Sequence, residues 1–302
     1  MDHNDFMLVF PPGGQLPYNR DLVADIEAAR KSFEGTLFID RVLRALGIAK
    51  AKAYPPKTDA ALRQLHQQIC ESSMSLHHKY SLFYYILLDF NQEPTQRALA
   101  SDEFAAKFGM PVNYQLFMKG LWYLDRKEFS TAVEYISHPS LVPDFADDIM
   151  TCLVVHAPPN DYSLPLAYFY TVRPMLKTSA ALELLFDALS KTNSTEALLY
   201  SRTHPEHTRE VLFRRLVAST ANASPEVASE LAFLPFDAEE SAWFEEYLTT
   251  GEGKALKKAK DLLMIRNITG DQFEQVSKKK GGSSKWAPII EGIRAGTEGH
   301  RE

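Results

Sequence analysis

The sequence predicts an all-α protein: an irregular α-solenoid of stacked helical hairpins, with an extended N-terminal arm and a flexible C-terminal tail. Three observations lead there. From Leu22 onward, apolar residues recur at three- and four-residue steps, the spacing of one helix face. Helix start and stop signals punctuate those runs at ordinary helix lengths. Beyond the N-terminal apolar run, no stretch alternates apolar and polar residues as a half-buried strand would. Short amphipathic helices cannot bury their apolar faces alone, so they must stack on their neighbours.

The first 20 residues stand apart. Phe6-Met-Leu-Val-Phe10 is followed by Pro11-Pro-Gly-Gly14 and Pro17. Proline fixes φ and glycine frees it, so this segment reads as an extended arm with turns. Its five apolar residues need cover, either from the chain's own body or from a partner. Residues 21–277 form the helical body. Ile26, Ala29, Phe33 and Leu37 open it, and the same run continues to Leu46, where Gly47 is a natural stop. Tyr54-Pro-Pro56 breaks the chain. Thr58 or Asp59 caps a helix running to about Cys70. Residues 76–90 are an apolar helix, ended by Asn91-Gln-Glu-Pro94.

Two further helices, about 113–124 and 129–137, are joined by Asp125-Arg-Lys-Glu128. Gly120 and Ala132 are small enough for the two backbones to approach closely. Tyr123, Phe129 and Tyr135 fill the space around them, as in a hairpin of the tetratricopeptide kind. Farther on, Asn193 with Glu196 and Asp237 with Glu240 have capping-box spacing. Ser224-Pro225 places proline in a first helical turn. Leu182, Leu185, Phe186 and Leu189 mark one amphipathic face, and Leu212, Phe213, Leu216 and Val217 mark another. Residues 278–302 form the tail: Lys278-Lys-Lys-Gly-Gly-Ser-Ser-Lys285, then the apolar cluster Trp286, Pro288, Ile289 and Ile290.

Composition bounds the function. Of 302 residues, 45% are hydrophobic and 24% charged, a globular balance. The net charge is −6, which disfavours nucleic acid as the main ligand. Residues 251–302 nevertheless carry +4, leaving −10 for residues 1–250, so weak nucleic-acid or chromatin contact falls to the basic end of the chain. The start lacks the order of a secretion signal. The longest apolar run, Leu82 to Leu88, is far shorter than a membrane span. With two cysteines, Cys70 and Cys152, these features point to a reducing, soluble setting.

No catalytic, cofactor or metal motif emerges. His77-His78 and His204-Pro-Glu-His207 are the histidine clusters, and Pro205 with no nearby cysteine argues against metal. Candidate partner-binding residues are the apolar ones in the two terminal segments: Phe6, Leu8, Phe10, Trp286, Ile289 and Ile290.

Several stretches resemble the ELYS-like helical domain of nuclear pore proteins. They are Tyr84-Tyr-Ile-Leu-Leu-Asp89, Phe104-x-x-x-Phe-Gly-Met-Pro111, Gly120-Leu-Trp-Tyr-Leu-Asp125, Ala132-Val-Glu-Tyr-Ile-x-His-Pro139 and Leu234-Pro-Phe-Asp237. Leu37-Phe-Ile-Asp-Arg-Val-Leu43 is similar to fungal members. The likeness spans roughly residues 20 to 270. It implies a non-enzymatic scaffold nucleoporin at the nuclear envelope. Its partners would be nucleoporins of the Y-shaped complex, especially the WD40 propeller subunit and the long-arm scaffold subunit, and its processes pore assembly and nucleocytoplasmic transport, including that of mRNA. The larger animal members add a β-propeller and an AT-hook tail, and neither is read in this sequence. The alternative is a tetratricopeptide-like adaptor in another intracellular assembly.

Overall fold

The computed structural model describes residues 2–10, 16–48, 53–91, 99–223 and 225–269, together with Pro288, Ile289, Glu291 and Gly292. Among the described residues the regular structure is helical throughout, sixteen α-helices and one 3-10 turn, with no strand. The chain gathers into two compact units, residues 1–178 and 179–302.

The first unit is built around helix α5, Leu76–Phe90. Every residue from Tyr80 to Phe90 is buried, so this helix is enclosed on all sides. Helices α4 (Asp59–Glu71), α6 (Ala100–Phe108) and α7 (Val112–Asp125) pack directly on it. The Thr58 hydroxyl accepts the Ala61 N–H at 3.1 Å, which starts α4 where the sequence placed it. Helices α2 (Arg20–Ser32) and α3 (Phe38–Ala45) also contact α7, and α9 (Ala146–Val155) and α10 (Ser163–Val172) complete the unit.

The continuous run expected from Leu22 to Leu46 is two helices. The apolar spacing carries across the break, but Glu34 and Gly35 adopt φ of 53° and 85° and turn the chain. Gly35 N–H bonds back to the Arg30 carbonyl at 2.9 Å. Gly47, at φ 87°, ends α3, and Ile48 N–H reaches the Leu43 carbonyl at 2.8 Å as in a Schellman stop.

The expected hairpin is present as α7 and α8 (Phe129–Ile136). Ala132 is fully buried, and Tyr123 stacks on Tyr135 at 5.4 Å. A Cβ placed on Gly120 would collide with Cγ2 of Ile136 and lie 3.3 Å from its backbone nitrogen. Gly120→Val should therefore destabilise by about 1–3 kcal/mol, the usual cost of overpacking. Thermal melts followed by circular dichroism would show it as a lower Tm, and an unchanged Tm would refute the close approach.

The second unit begins with α11 (Ser179–Thr192), α12 (Ser194–Ser201) and α13 (Glu206–Ala221), which pack on one another. Asn193 caps α12, accepting the Glu196 N–H at 3.1 Å. Helices α14 (Pro225–Phe233) and α15 (Ala238–Thr249) pack on α13, and α16 (Ala259–Thr269) closes over both. Asp237 and Glu240 form the reciprocal capping box at the start of α15. The Ser224 cap and residues 278–287 and 293–302 of the expected tail lie outside the described residues.

Candidate interaction surface

The carboxylates at the centre of each unit face inward, and they explain what holds the outer surfaces in place. Asp89, at the last turn of α5, is 0% exposed. Its Oδ2 accepts from the hydroxyls of Tyr18 at 2.8 Å and Tyr54 at 2.7 Å. Its Oδ1 accepts from Nε1 of Trp122 at 2.8 Å and from the Arg126 guanidinium at 2.9 Å. Arg126 also lies 4.1 Å above the Trp122 ring. One side chain thus ties α5 to the segments before α2 and α4 and to both ends of the α7 turn. Burial, then the charge of Asp89, pushes both tyrosine hydroxyls well above their ordinary pKa.

Asp125 ends α7 and is also buried. It accepts the backbone N–H groups of Phe38 at 2.7 Å and Ile39 at 3.0 Å, and the Tyr85 hydroxyl at 2.7 Å. The first turn of α3 leaves donors without intrahelical partners, and Leu37 has no side chain to bond them. Asp125 caps that helix from more than 80 residues away. In the second unit Glu240 is 0% exposed. It accepts a forked pair from Arg202 at 2.8 and 2.7 Å and a third bond from Arg209 at 2.6 Å. Arg266 lies 3.8 Å from the Phe236 ring centre and donates to the carbonyls of Ala232 and Leu234. The Leu234-Pro-Phe-Asp237 stretch is held by this network.

The sequence shows Asp89 and Asp125 only as ends of matching stretches and Glu240 only as a capping-box partner, none of them as a hub. A signal was available: Asp89 and Asp125 stand at the C-terminal ends of apolar helices, where the helix dipole disfavours negative charge. An acid retained there needs donors from elsewhere in the fold.

The structure separates the expected partner-binding residues. The N-terminal run is not extended: it forms one helical turn, α1 (Phe6–Val9), because the Asp5 carboxylate accepts the Met7 N–H at 2.9 Å and caps it. The turn packs on its own unit. Phe10 is 2% exposed, against Phe83 and Phe90. Phe6 is half-buried beside His66. Leu8 and Met7 face outward, 37% and 47% exposed. Ile289 is 48% exposed, while Trp286 and Ile290 lie outside the described residues.

Exposed apolar residues missed in the sequence occur on the helical body. Val142 is 75% exposed, in a loop ending at Phe145, which holds φ of 54° and stacks on Phe117. A bulky residue rarely adopts that backbone region. Met175 is 84% exposed, and Phe233 on α14 is 64% exposed. Their loop and helix-end positions gave no periodic signal.

His77 and His78 lie near Tyr114, and His204 near Tyr200. Among the described residues no group of three or more His, Cys, Asp or Glu is placed to hold a metal ion. Cys152 is buried, and burial pushes its thiol up to about 12. No helix among the described residues is long and apolar enough to cross a membrane.

Comparison with known proteins bears on what this body is for. The family model ELYS, described as nuclear pore complex assembly, matches residues 36–251. The protein ely5 of Schizosaccharomyces pombe is 29% identical over 165 residues, which are 54% of this chain and 52% of that protein. The chain therefore aligns with about half the length of that relative. The family match takes in Asp89, Asp125, Glu240 and the α7–α8 hairpin, and on that match this chain belongs to the ELYS family of nuclear pore complex assembly.

Proposed function

We propose that the chain is a structural nucleoporin of the nuclear pore complex, located at the nuclear envelope and attached to the Y-shaped scaffold complex. The observation that carries this reading is the family match across residues 36–251. The interior supports it. Asp89, Asp125 and Glu240 are committed to donors that join helices, an arrangement that rigidifies a body. Its working parts are then its exposed faces, and its helices stack as an irregular solenoid. The partners are other Y-complex nucleoporins, chiefly the WD40 propeller subunit and the long-arm scaffold subunit. Through them the chain supports pore assembly and nucleocytoplasmic transport. Leu8 and Ile289 are exposed contact points in the terminal segments, and Phe6, Phe10, Trp286 and Ile290 belong to the same two segments. The exposed lysines Lys254, Lys257 and Lys260 supply any weak contact with nucleic acid.

Affinity purification of the tagged chain from its own cells, followed by mass spectrometry, tests this. Propeller and solenoid nucleoporins are expected among the recovered proteins. The double substitution Leu8→Asp with Ile289→Asp should lower their yield several-fold. Unchanged yield would move the contact to the helical body. Recovery of an assembly unrelated to the pore would favour the adaptor alternative and end the nucleoporin reading.

A further inference from the structure

The groove that holds α1 recognises its occupant in a way that does not depend on the occupant being part of the same chain. Two aromatic side chains, Phe6 and Phe10, enter it from one face of a single helical turn, with their rings 5.1 Å apart. Phe10 meets Phe83 edge-on at 6.2 Å and Phe90 at 5.9 Å. Phe6 meets His66 edge-on at 5.4 Å and lies 4.1 Å under the Arg63 guanidinium. The polar contacts that reach from the groove go to backbone oxygens. Nε2 of His66 donates to the His3 carbonyl at 3.0 Å, and Nζ of Lys107 donates to the Leu8 carbonyl at 2.9 Å. Donors aimed at main-chain carbonyls fix the path of a peptide and leave its sequence to the aromatic sockets. Apolar anchors on one face of a short helix are what a groove reads.

The wall is built without the arm. His66 and Phe83 stack at 5.1 Å, and Phe104 packs on Phe83 at 6.2 Å, so α4, α5 and α6 hold the sockets in place themselves. The arm presents Met7 and Leu8 to solvent on its other face, 47% and 37% exposed.

We infer that this groove is an exchangeable peptide site. Its resident ligand is the chain's own residues 3–10. Its second ligand is a segment of a partner protein with an acidic N-cap followed by aromatic residues four apart, Asp-Phe-x-x-x-Phe, on one helical turn. Tethering gives the resident arm a high effective concentration. A free segment therefore competes poorly until the arm is released or the partner is held by a second contact. This inference is independent of the nuclear pore reading and holds for whichever assembly the chain joins.

The test uses a fluorescent peptide with the sequence of residues 2–10 and the full chain. Anisotropy titration should show at least tenfold tighter binding to the Phe6→Ala, Phe10→Ala chain, whose own arm no longer fills the sockets, than to the unaltered chain. A peptide with both phenylalanines replaced by alanine should bind neither. Lys107→Ala removes a carbonyl contact that arm and peptide both use, so added to the Phe6→Ala, Phe10→Ala chain it should weaken peptide binding about threefold. Equal binding to all chains, or none to the arm-released chain while its circular dichroism melt stays cooperative, would overturn the proposal. So would loss of the Lys107→Ala effect. A dimer of the unaltered chain in native mass spectrometry that disappears on Phe6→Ala, Phe10→Ala would make the second ligand another copy's arm and also overturn it.

Discussion

Replacing Asp89 by alanine should cost the first unit about 3–5 kcal/mol, the range measured when one partner of a buried charge pair is removed. The loss exceeds that of one hydrogen bond because four donors lose their acceptor together: Tyr18, Tyr54, Trp122 and Arg126. Each buried donor left unsatisfied carries its own desolvation cost. The Arg126 charge remains beside Trp122 with 19% of its side chain exposed, so it can recover only part of its hydration. At roughly 2–4 °C per kcal/mol for a domain of this size, Tm should fall by about 10 °C. Asp89→Asn separates shape from charge. The amide keeps one oxygen acceptor and offers an N–H₂ to the two tyrosine hydroxyls, which can accept. Its loss should be about half that of alanine, concentrated in the Arg126 contact. Calorimetric melts of both variants provide the check. Equal losses would show that charge, not shape, is what Asp89 contributes.

The same acids show how far the sequence could be read. Local signals placed the elements that local chemistry controls. Thr58, Asn193 and Asp237 are caps, and helix 76–90 has the boundaries its apolar pattern drew. The Gly120 and Ala132 hairpin followed from side-chain size alone. What escaped was chemistry that joins residues far apart in the chain. Nothing beside Leu37 announces that α3 is capped by Asp125, because the donors and the acceptor are separated by 86 and 87 residues. The break at Glu34 and Gly35 was hidden for a different reason. Phe33 and Leu37 are four apart and both buried, so a bent chain and a straight helix write the same pattern. The sequence leaves Phe10 two possible covers, the chain's own body or a partner, and only the fold shows the sockets that bury it on α5. The exposed apolar surface was the least legible part. Val142, Met175 and Phe233 sit in loops or at helix ends, where exposure depends on tertiary neighbours and leaves no periodic trace.

Asp125 makes the stability of the fold depend on pH in a direction opposite to that of an ion-paired carboxylate such as Glu240, whose pKa is lowered, against its burial, by Arg202 and Arg209. Burial raises its carboxyl to about 7, and the three donated hydrogen bonds only partly offset that rise. In the unfolded chain the same group titrates near 4. Between those values the folded state holds a proton that the unfolded state has released. Stability from this group is therefore full below about pH 4 and declines as pH climbs through about 7. The decline attributable to Asp125 between pH 5 and pH 8 should be about 2–3 kcal/mol, at roughly 1.4 kcal/mol per pKa unit. Asp125→Asn removes the titration while keeping one acceptor for the α3 backbone. Its amide nitrogen faces donors on the other side, so the variant starts less stable at pH 5 and the gap to the unaltered chain narrows toward pH 8. Urea denaturation of both chains at pH 5, 6, 7 and 8 measures that gap directly. A gap constant across the series would mean that the Phe38, Ile39 and Tyr85 donors keep Asp125 ionised throughout, and that its role is a fixed cap with no coupling to protons.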